Sequence, residues 1–301
     1  MHILLTVALY LALAYHGLKK GSLSISGAVA AAAVCLPTFS HPSYLFMIVL
    51  LTFYLSSSRL TKVGSATKAS IEEDHKAGGQ RTAVQVFSNG FTGTVIACLH
   101  YMLVFHENND SMSGLCFADP SISTFWLARL NTALIAAYLG HYACCNGDTW
   151  ASELGVLSKG NPILITTLKS VPKGTNGGVS LIGLVASLIG GAVVGLSAYF
   201  AFILSDWHCL SSDLLYSLVI AGAACGLVGS LIDSFLGATL QRSTFNKKSG
   251  QIAADFRRPR RHEDRADLVV VSGYEVLDNH QVNFVSSLTT AFIAGIVAYN
   301  L

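Results

Sequence analysis

The sequence predicts an all-α membrane protein, a polytopic bundle of about eight transmembrane helices that forms one integral membrane domain over residues 1–301. Three observations lead there. Hydrophobic residues make up 52% of the chain and charged residues 12%, where a soluble domain carries about a quarter charged. Apolar runs long enough, or nearly long enough, to cross a bilayer recur along the whole chain. The basic residues avoid every second connection between those runs.

The runs lie near residues 2–17, 22–37, 42–57, 83–105, 121–144, 178–204, 213–240 and 282–300. The first three are short for a hydrocarbon core of about 30 Å. Ile3 to Tyr15 lacks a basic leader and a small-residue cleavage site, so it reads as a first span. Lys19 and Lys20 separate spans one and two; Arg59, Lys62, Lys68, Lys76 and Arg81 separate three and four. Lys159, Lys169 and Lys173 separate five and six, and eight cations from Arg242 to Arg265 separate seven and eight. Of the 19 Lys and Arg, only Arg129 falls elsewhere. The positive-inside rule makes that side cytosolic, exposing loops of about 58–82, 146–176 and 241–281 and leaving both termini on the other side. The sequon Asn109-Asp110-Ser111 falls in a connection that is then lumenal, in keeping with an endomembrane such as the endoplasmic reticulum. The 17 acids nearly balance the bases, so net charge gives no sign of a nucleic-acid partner. The 7 cysteines show neither zinc spacing nor a disulfide framework.

Polar residues inside the runs are the first functional candidates. Arg129 sits about two turns into span five, near enough to snorkel to the lumenal surface toward Glu107, Asp110 and Asp119. Asp233 lies deep in span seven, on one helical face with Gly229, Gly237 and Gln241. A carboxylate there must be protonated, paired or turned toward a wet cavity, and the cavity makes it a candidate catalytic group. Gly222, Gly226 and Gly229 fit close helix packing. Asn89 in span four suits an interhelical hydrogen bond or a substrate contact. Arg81, just before it, suits a phosphate or marks the membrane edge.

The stretch between spans five and six carries most of the chemistry. Asn146 to Gly155, NGDTWASELG, places Asp148, Thr149, Ser152 and Glu153 just past a membrane exit. Lys169 to Gly183, KSVPKGTNGGVSLIG, is a basic glycine-rich turn feeding a new helix. Glycines let backbone N–H groups approach an anion, and a helix start adds its positive end. Lys169 and Lys173 with Gly174, Thr175, Asn176, Gly177 and Gly178 therefore form a candidate nucleotide-phosphate cradle. Carboxylates opposite it suit Mg²⁺, which uses one or two of them together with substrate phosphates. Asp148 and Glu153 are five residues apart, about 140° around a regular helix. One metal can hold both directly only if the helix breaks between them. His141, Cys145 and Asp148 share a helical stripe, but buried cysteine is ordinary in a membrane helix. The run Arg257 to Arg261, RRPRR, suits anionic headgroups. Asp278, Asn279 and Asn283 at the mouth of span eight suit either the same cavity or a helix cap. Leu184 to Ile189, LVASLI, echoes Leu227 to Ile232, LVGSLI, as an old duplication or by chance.

Three of these segments together resemble one known family. They are KAGGQRTAVQVFSNG (Lys76 to Gly90), the 146–183 stretch, and DSFLGATLQ (Asp233 to Gln241) with LDNHQVN (Leu277 to Asn283). The family is the transmembrane-protein-19 family, which includes plant phytyl-phosphate kinase, and the resemblance covers about residues 40–300. It implies a multi-pass enzyme that adds a second phosphate to an isoprenyl monophosphate, with CTP as donor. The middle segment also looks like the phytol and dolichol kinase pattern, at Gly147, Asp148, Ala151, Gly155, Lys173, Gly174 and Thr175. The basic insert near 244–266 lies outside the pattern, and no plastid transit peptide precedes the first span.

Taken together, the expectation is a membrane phosphotransferase acting on an isoprenyl phosphate in the bilayer, with a nucleoside triphosphate and Mg²⁺. Asp148, Glu153, Lys173 and Asp233 are its expected catalytic set, with Asp148 and Glu153 on the metal. Arg81, Asn89 and Asn283 are expected on the lipid substrate. A small-molecule or ion transporter is the alternative: it too would use intramembrane Asp233 and Arg129 and helices broken near glycine turns.

Overall fold

A computed structural model describes residues 3–63, 65–71, 73, 80–105, 125–205, 209–253 and 267–301. Eight long helices coincide with the eight apolar runs. They are α1 (Ile3–Lys19), α2 (Ile25–Ser40), α3 (Tyr44–Val63), α5 (Ala83–His100), α6 (Phe125–Gly155), α7 (Leu181–Ser205), α8 (Ser212–Leu240) and α9 (Asn279–Asn300). A short helix α4 (Ser65–Ile71) follows α3, and α5 ends in a π-helical turn, Tyr101–Phe105. Among the described residues, α3, α7, α8 and α9 are long and apolar enough to cross a membrane, while α1 and α2 are shorter apolar helices.

The core is α6 with α7, α8 and α9 around it. Small residues let these backbones nearly touch. A Cβ on Gly191 would lie 2.1 Å from the Gly222 carbonyl oxygen, and one on Gly226 would lie 2.5 Å from that of Ser187. This is the packing role read for Gly222 and Gly226. Rings fill the α3–α6 seam, with Phe46 against Tyr138 at 4.7 Å and Tyr138 against Tyr142 at 4.9 Å between centroids. Asn146, fully buried, ties three helices together: its Oδ1 accepts from Ser56 (2.7 Å) and Ser57 (3.0 Å), and its Nδ2 donates to the Gly190 carbonyl (2.8 Å).

The cation-bearing connections gather at one end of the bundle. Leu23, between α1 and α2, pairs with Arg81 in a parallel bridge. The backbone N–H of Glu73 donates to the Ile252 carbonyl, and a Cβ on Gly174 would meet both Ile71 and Ile252. The opposite end carries His41 after α2, His100 at the close of α5 and Asn131 early in α6. These are linked in a chain of 3.1 and 2.9 Å hydrogen bonds. Arg129, also at that end, stacks on Phe125 (4.5 Å) and Tyr299 (5.9 Å). The sequon at Asn109, the acids at 107, 110 and 119, and the basic run 257–261 lie outside the described residues.

The structure departs from the sequence expectation in three places. The fold is not wholly helical. The segment 241–281, read as a loop, holds strands β3 (Ser243–Asn246), β4 (Gln251–Ala253) and β5 (Leu268–Ser272) in an antiparallel sheet of order β4-β3-β5. Its strands are short and flanked by charge, which hid them, although Leu-Val-Val-Val has strong β propensity. A second, two-stranded sheet pairs β1 (Ile163–Leu164) with β2 (Gly178–Val179). Next, α6 does not end with its apolar run near residue 144. Its 31 residues reach Gly155, about 46 Å, so Asp148, Thr149, Ser152 and Glu153 lie on its last two turns rather than in a loop. Finally, Cys209 is disulfide-bonded.

Candidate functional site

The last turns of α6 and α8 meet at the end that carries the cations. Gly147 sets that meeting: a Cβ there would sit 2.8 Å from the Gly226 Cα and 2.9 Å from the carbonyl oxygens of Gly226 and Ser187. With α6 pressed that closely against α7 and α8, the next residue, Asp148, faces α8. Its Oδ1 accepts from the Ser230 hydroxyl at 3.0 Å. One turn further along α8, Asp233 accepts from Ser286 of α9 at 2.9 Å through Oδ2. The two half-buried carboxylates lie within range of each other's charge. Among the described residues, each keeps one oxygen with no hydrogen bond.

The structure thus pairs Asp148 with Asp233, not with Glu153. Because α6 is unbroken through both residues, Glu153 turns to another side and meets Lys68 of α4 at 2.8 Å. Glu153 therefore stands as an ion-pair partner, and the helix break that one metal would need to hold both Asp148 and Glu153 directly does not occur. Lys68 also lies within range of Asp148, and it is a site residue the sequence reading missed. Nothing in GSATKAS (Gly64 to Ser70) marks it out, because only the folding of α4 against α6 places it. Ser230 and Ser286 were missed too, although each lies near a residue already singled out: Ser230 three before Asp233, Ser286 three after Asn283.

Arg81 lies within range of Glu153. Its guanidinium donates to the Ser58 hydroxyl and stacks over the Tyr54 ring at 5.5 Å. Burial pulls its pKa down, and Tyr54 and Glu153 pull it back up; arginine stays charged in such surroundings. Arg81 and Asn89 line one apolar cleft between α1, α2, α3 and α5. The Asn89 carbonyl oxygen lies 3.0 Å from His141 Nε2 and 3.9 Å from Cys145 Sγ, so His141 and Cys145 face α5 rather than a metal. Asn283 lies one turn before Ser286, while Asp278 caps α9, accepting from the Gln281 N–H at 2.9 Å.

The glycine turn has a different role from the one its composition predicted. Three of its amides are engaged within the fold. Thr175 N–H donates to Pro172 O, Gly178 N–H to Thr175 O, and Asn176 N–H to the Ser243 hydroxyl. Gly174 and Gly177 take φ of +84° and +77°, which favours glycine. A Cβ on Gly177 would lie 2.5 Å from both Ala238 Cβ and the Ser234 carbonyl oxygen. Backbone thus lies on backbone, and the turn docks against α8 just beyond Asp233. Lys173 is turned inward as well, its Nζ on the carbonyls of Val156 and Ser158, where it caps the end of α6. Lys169 is exposed on the neighbouring bend. The turn packs on α8 beside the carboxylate pair, with three of its amides engaged within the fold.

A two-carboxylate set with hydroxyl support fits a hard divalent cation. Mg²⁺ takes one or two carboxylates and leaves its other positions to water and phosphate. Two neighbouring like charges, with Lys68 nearby, gain from such a cation. Among the described residues there is no group of three or more His, Cys, Asp or Glu that could hold a metal ion.

A family model described as "Integral membrane protein DUF92" matches residues 8–291. The chain is 40% identical to Protein PGR of Arabidopsis thaliana over 292 residues, covering 95% of this chain and 92% of that one. It is 30% identical to an uncharacterized membrane protein of Methanocaldococcus jannaschii over 197 residues, 65% of this chain and 66% of the relative. A Synechocystis membrane protein, also uncharacterized, is 26% identical over 194 residues, 64% of this chain and 62% of the relative. No solved structure matches. With the match running through every long helix and the site they build, this chain belongs to the DUF92 family of integral membrane proteins.

Proposed function

We propose that the protein is a membrane phosphotransferase that adds a phosphate to an isoprenyl monophosphate, taking it from a nucleoside triphosphate, with CTP as the first donor to test. The observation that carries this reading is the convergence of Asp148 and Asp233 beside Lys68, with Arg81 within range of Glu153, the ion-pair partner of Lys68, at one end of an apolar bundle. The likeness to the transmembrane-protein-19 and phytyl-phosphate kinase sequences supports it independently.

Mg²⁺ held by Asp148 and Asp233 would neutralise phosphate charge during transfer. Ser230 and Ser286 fix one oxygen of each carboxylate, so the free oxygens are oriented before the cation arrives. Arg81, a fork held by Ser58 and Tyr54, takes the acceptor phosphate. Lys68 is shared between Glu153 and Asp148 and offers a second positive group to the donor phosphates. Phosphoryl transfer needs mainly positioning and charge neutralisation, and an acceptor that is already a phosphate anion needs no strong base. Lys173, Gly174, Thr175, Asn176, Gly177 and Gly178 contribute by bracing α6 and α8.

We place all eight long helices across an endomembrane such as the endoplasmic reticulum, with the cation-rich end cytosolic and both termini opposite. The disulfide at Cys209 agrees, since disulfides persist on the oxidising side. The test is to incubate purified protein with Mg²⁺, CTP or ATP, and geranyl, farnesyl, geranylgeranyl and phytyl monophosphates. Formation of the lipid diphosphate is the expected outcome. Absence of product with every donor and acceptor, in protein that proves folded by melting, would overturn the kinase reading. Solute flux in proteoliposomes under those conditions would favour a transporter.

A further inference from the structure

An apolar cleft lies between α1, α2, α3 and α5. Its wall is almost wholly apolar, with side chains such as Leu13, Val34, Leu50 and Phe53. The polar exceptions include Arg81, Gln85 and Asn89, at and just after the start of α5. Arg81 is anchored there by its backbone, which donates to Ser22 O and accepts from Ser24 N, so its charge is fixed at the level where α2 begins. Among the described residues no carboxylate pairs directly with Arg81, since the nearby Glu153 is taken by Lys68. A largely buried guanidinium with only a neutral hydrogen-bond partner, at the end of an apolar cleft, matches an anionic head on a hydrocarbon chain.

The α2 side of the cleft is graded. Ala31, Cys35 and Phe39 recur at i, i+4 and i+8, so they form one row along the helix. The row runs small, small, large moving away from Arg81. Phe39, 1% exposed, stands near the far end of α2. From Ile25 to Phe39 the helix rises roughly 21 Å, and from Ala31 to Phe39 roughly 12 Å.

We propose that this cleft holds the chain of a single-chain lipid monophosphate, with the phosphate on Arg81 and Phe39 as the floor that limits chain length. The proposal rests on the phosphotransferase reading for its choice of an isoprenyl chain, but it concerns binding and needs neither nucleotide nor metal. A head held at Arg81 lies toward Lys68, whose partner Glu153 is within range of Arg81. A chain too long for the floor lifts the phosphate away from them.

The experiment measures equilibrium binding of geranyl, farnesyl and geranylgeranyl monophosphate to the full chain in nanodiscs, without metal or nucleotide. Lysophosphatidic acid and farnesol are the comparison ligands. Phe39→Ala is expected to raise the preference for geranylgeranyl over farnesyl phosphate by roughly tenfold or more, since about five extra carbons become buried. Ala31→Phe, from the same row, should shift preference the other way, toward geranyl phosphate. Arg81→Gln should weaken every phosphate by about tenfold or more and leave farnesol unchanged. A diazirine-tagged farnesyl phosphate should crosslink to peptides of α1, α2, α3 or α5. Opposite shifts from two substitutions in one row are not produced by simple loss of fold. Unchanged chain preference in both variants, or crosslinks confined to other helices, overturns the cleft assignment even if the wild-type protein transfers phosphate. Binding with the expected preferences but no transfer from any nucleotide leaves the cleft standing and overturns the kinase reading. Tighter binding of lysophosphatidic acid than of any isoprenyl phosphate identifies an acyl rather than an isoprenyl occupant and overturns the isoprenyl choice.

Discussion

Two carboxylates that face each other across a helix seam define the site at the scale of single residues. Each is held by one hydroxyl, Asp148 by Ser230 and Asp233 by Ser286. If a divalent cation sits between them, Mg²⁺ should raise the melting temperature of the wild-type protein by mass action. Asp148→Asn and Asp233→Asn should each abolish that rise and reduce turnover to background. Without Mg²⁺, neither variant should melt lower than wild type by more than about 1 kcal/mol, because removing one of two neighbouring like charges relieves repulsion. Melting curves with and without Mg²⁺, read beside turnover, decide the matter. An undiminished Mg²⁺ response in either variant would remove that residue from the metal site. Asp148 and Asp233 were both legible as candidates, since a carboxylate in an apolar run needs an explanation. Their pairing was not legible, because 85 residues separate them in sequence and only the packing of α6 on α8 joins them.

Among the elements, the glycine turn after β1 shows most clearly how composition and structure part company. KGTNGG has the residues of a phosphate loop, yet its Thr175, Asn176 and Gly178 amides are satisfied internally and Gly177 lies flat on α8. Gly177→Ala should therefore destabilise the protein by about 1–3 kcal/mol, from the positive φ and the clash together. Lys173→Ala should cost only about 1 kcal/mol, from the uncapped end of α6. Neither change should lower nucleotide affinity in the protein that remains folded. Thermal melts and nucleotide binding on the two variants check this. A loss of nucleotide affinity with unchanged melting would restore the turn as a phosphate cradle. In α6 the same contrast appears: Asn146-Gly147 looks like a helix end, but Gly147 is where three helices touch and Asn146 is fully hydrogen-bonded.

For the whole molecule, the division into two ends is the governing feature. The connections that carry the cations converge through the Leu23–Arg81 bridge and through Ile71, Gly174 and Ile252. The buried His41–His100–Asn131 chain and the stacked Arg129 occupy the other end. Single cysteines placed at Lys159 and Lys62 in a cysteine-depleted background should be labelled from the cytosolic side of sealed vesicles by an impermeant reagent. One placed at Ser212, just after the disulfide-bearing segment, should be labelled only from the opposite side. Reversed labelling would put the carboxylate pair in the lumen, away from cellular nucleotide, and would exclude the proposed reaction.

Hydropathy and charge placement in the sequence determined the membrane class, the positions of eight long helices and the end at which chemistry collects. These are properties of local composition: an apolar run of sufficient length folds as a helix because its backbone must satisfy itself away from water, and a cation-rich connection stays on one side. Residue types likewise marked Arg81, Asp148 and Asp233 as unusual. Tertiary structure alone decided which of them lie together. It carried α6 past the end of its apolar run, turned Glu153 to Lys68, brought Asp233 to Asp148, folded the glycine turn onto α8, and opened the cleft beneath Arg81. Each of these depends on the crossing of helices distant in sequence, fixed by small residues such as Gly147, Gly191 and Gly226 whose contacts no local pattern records.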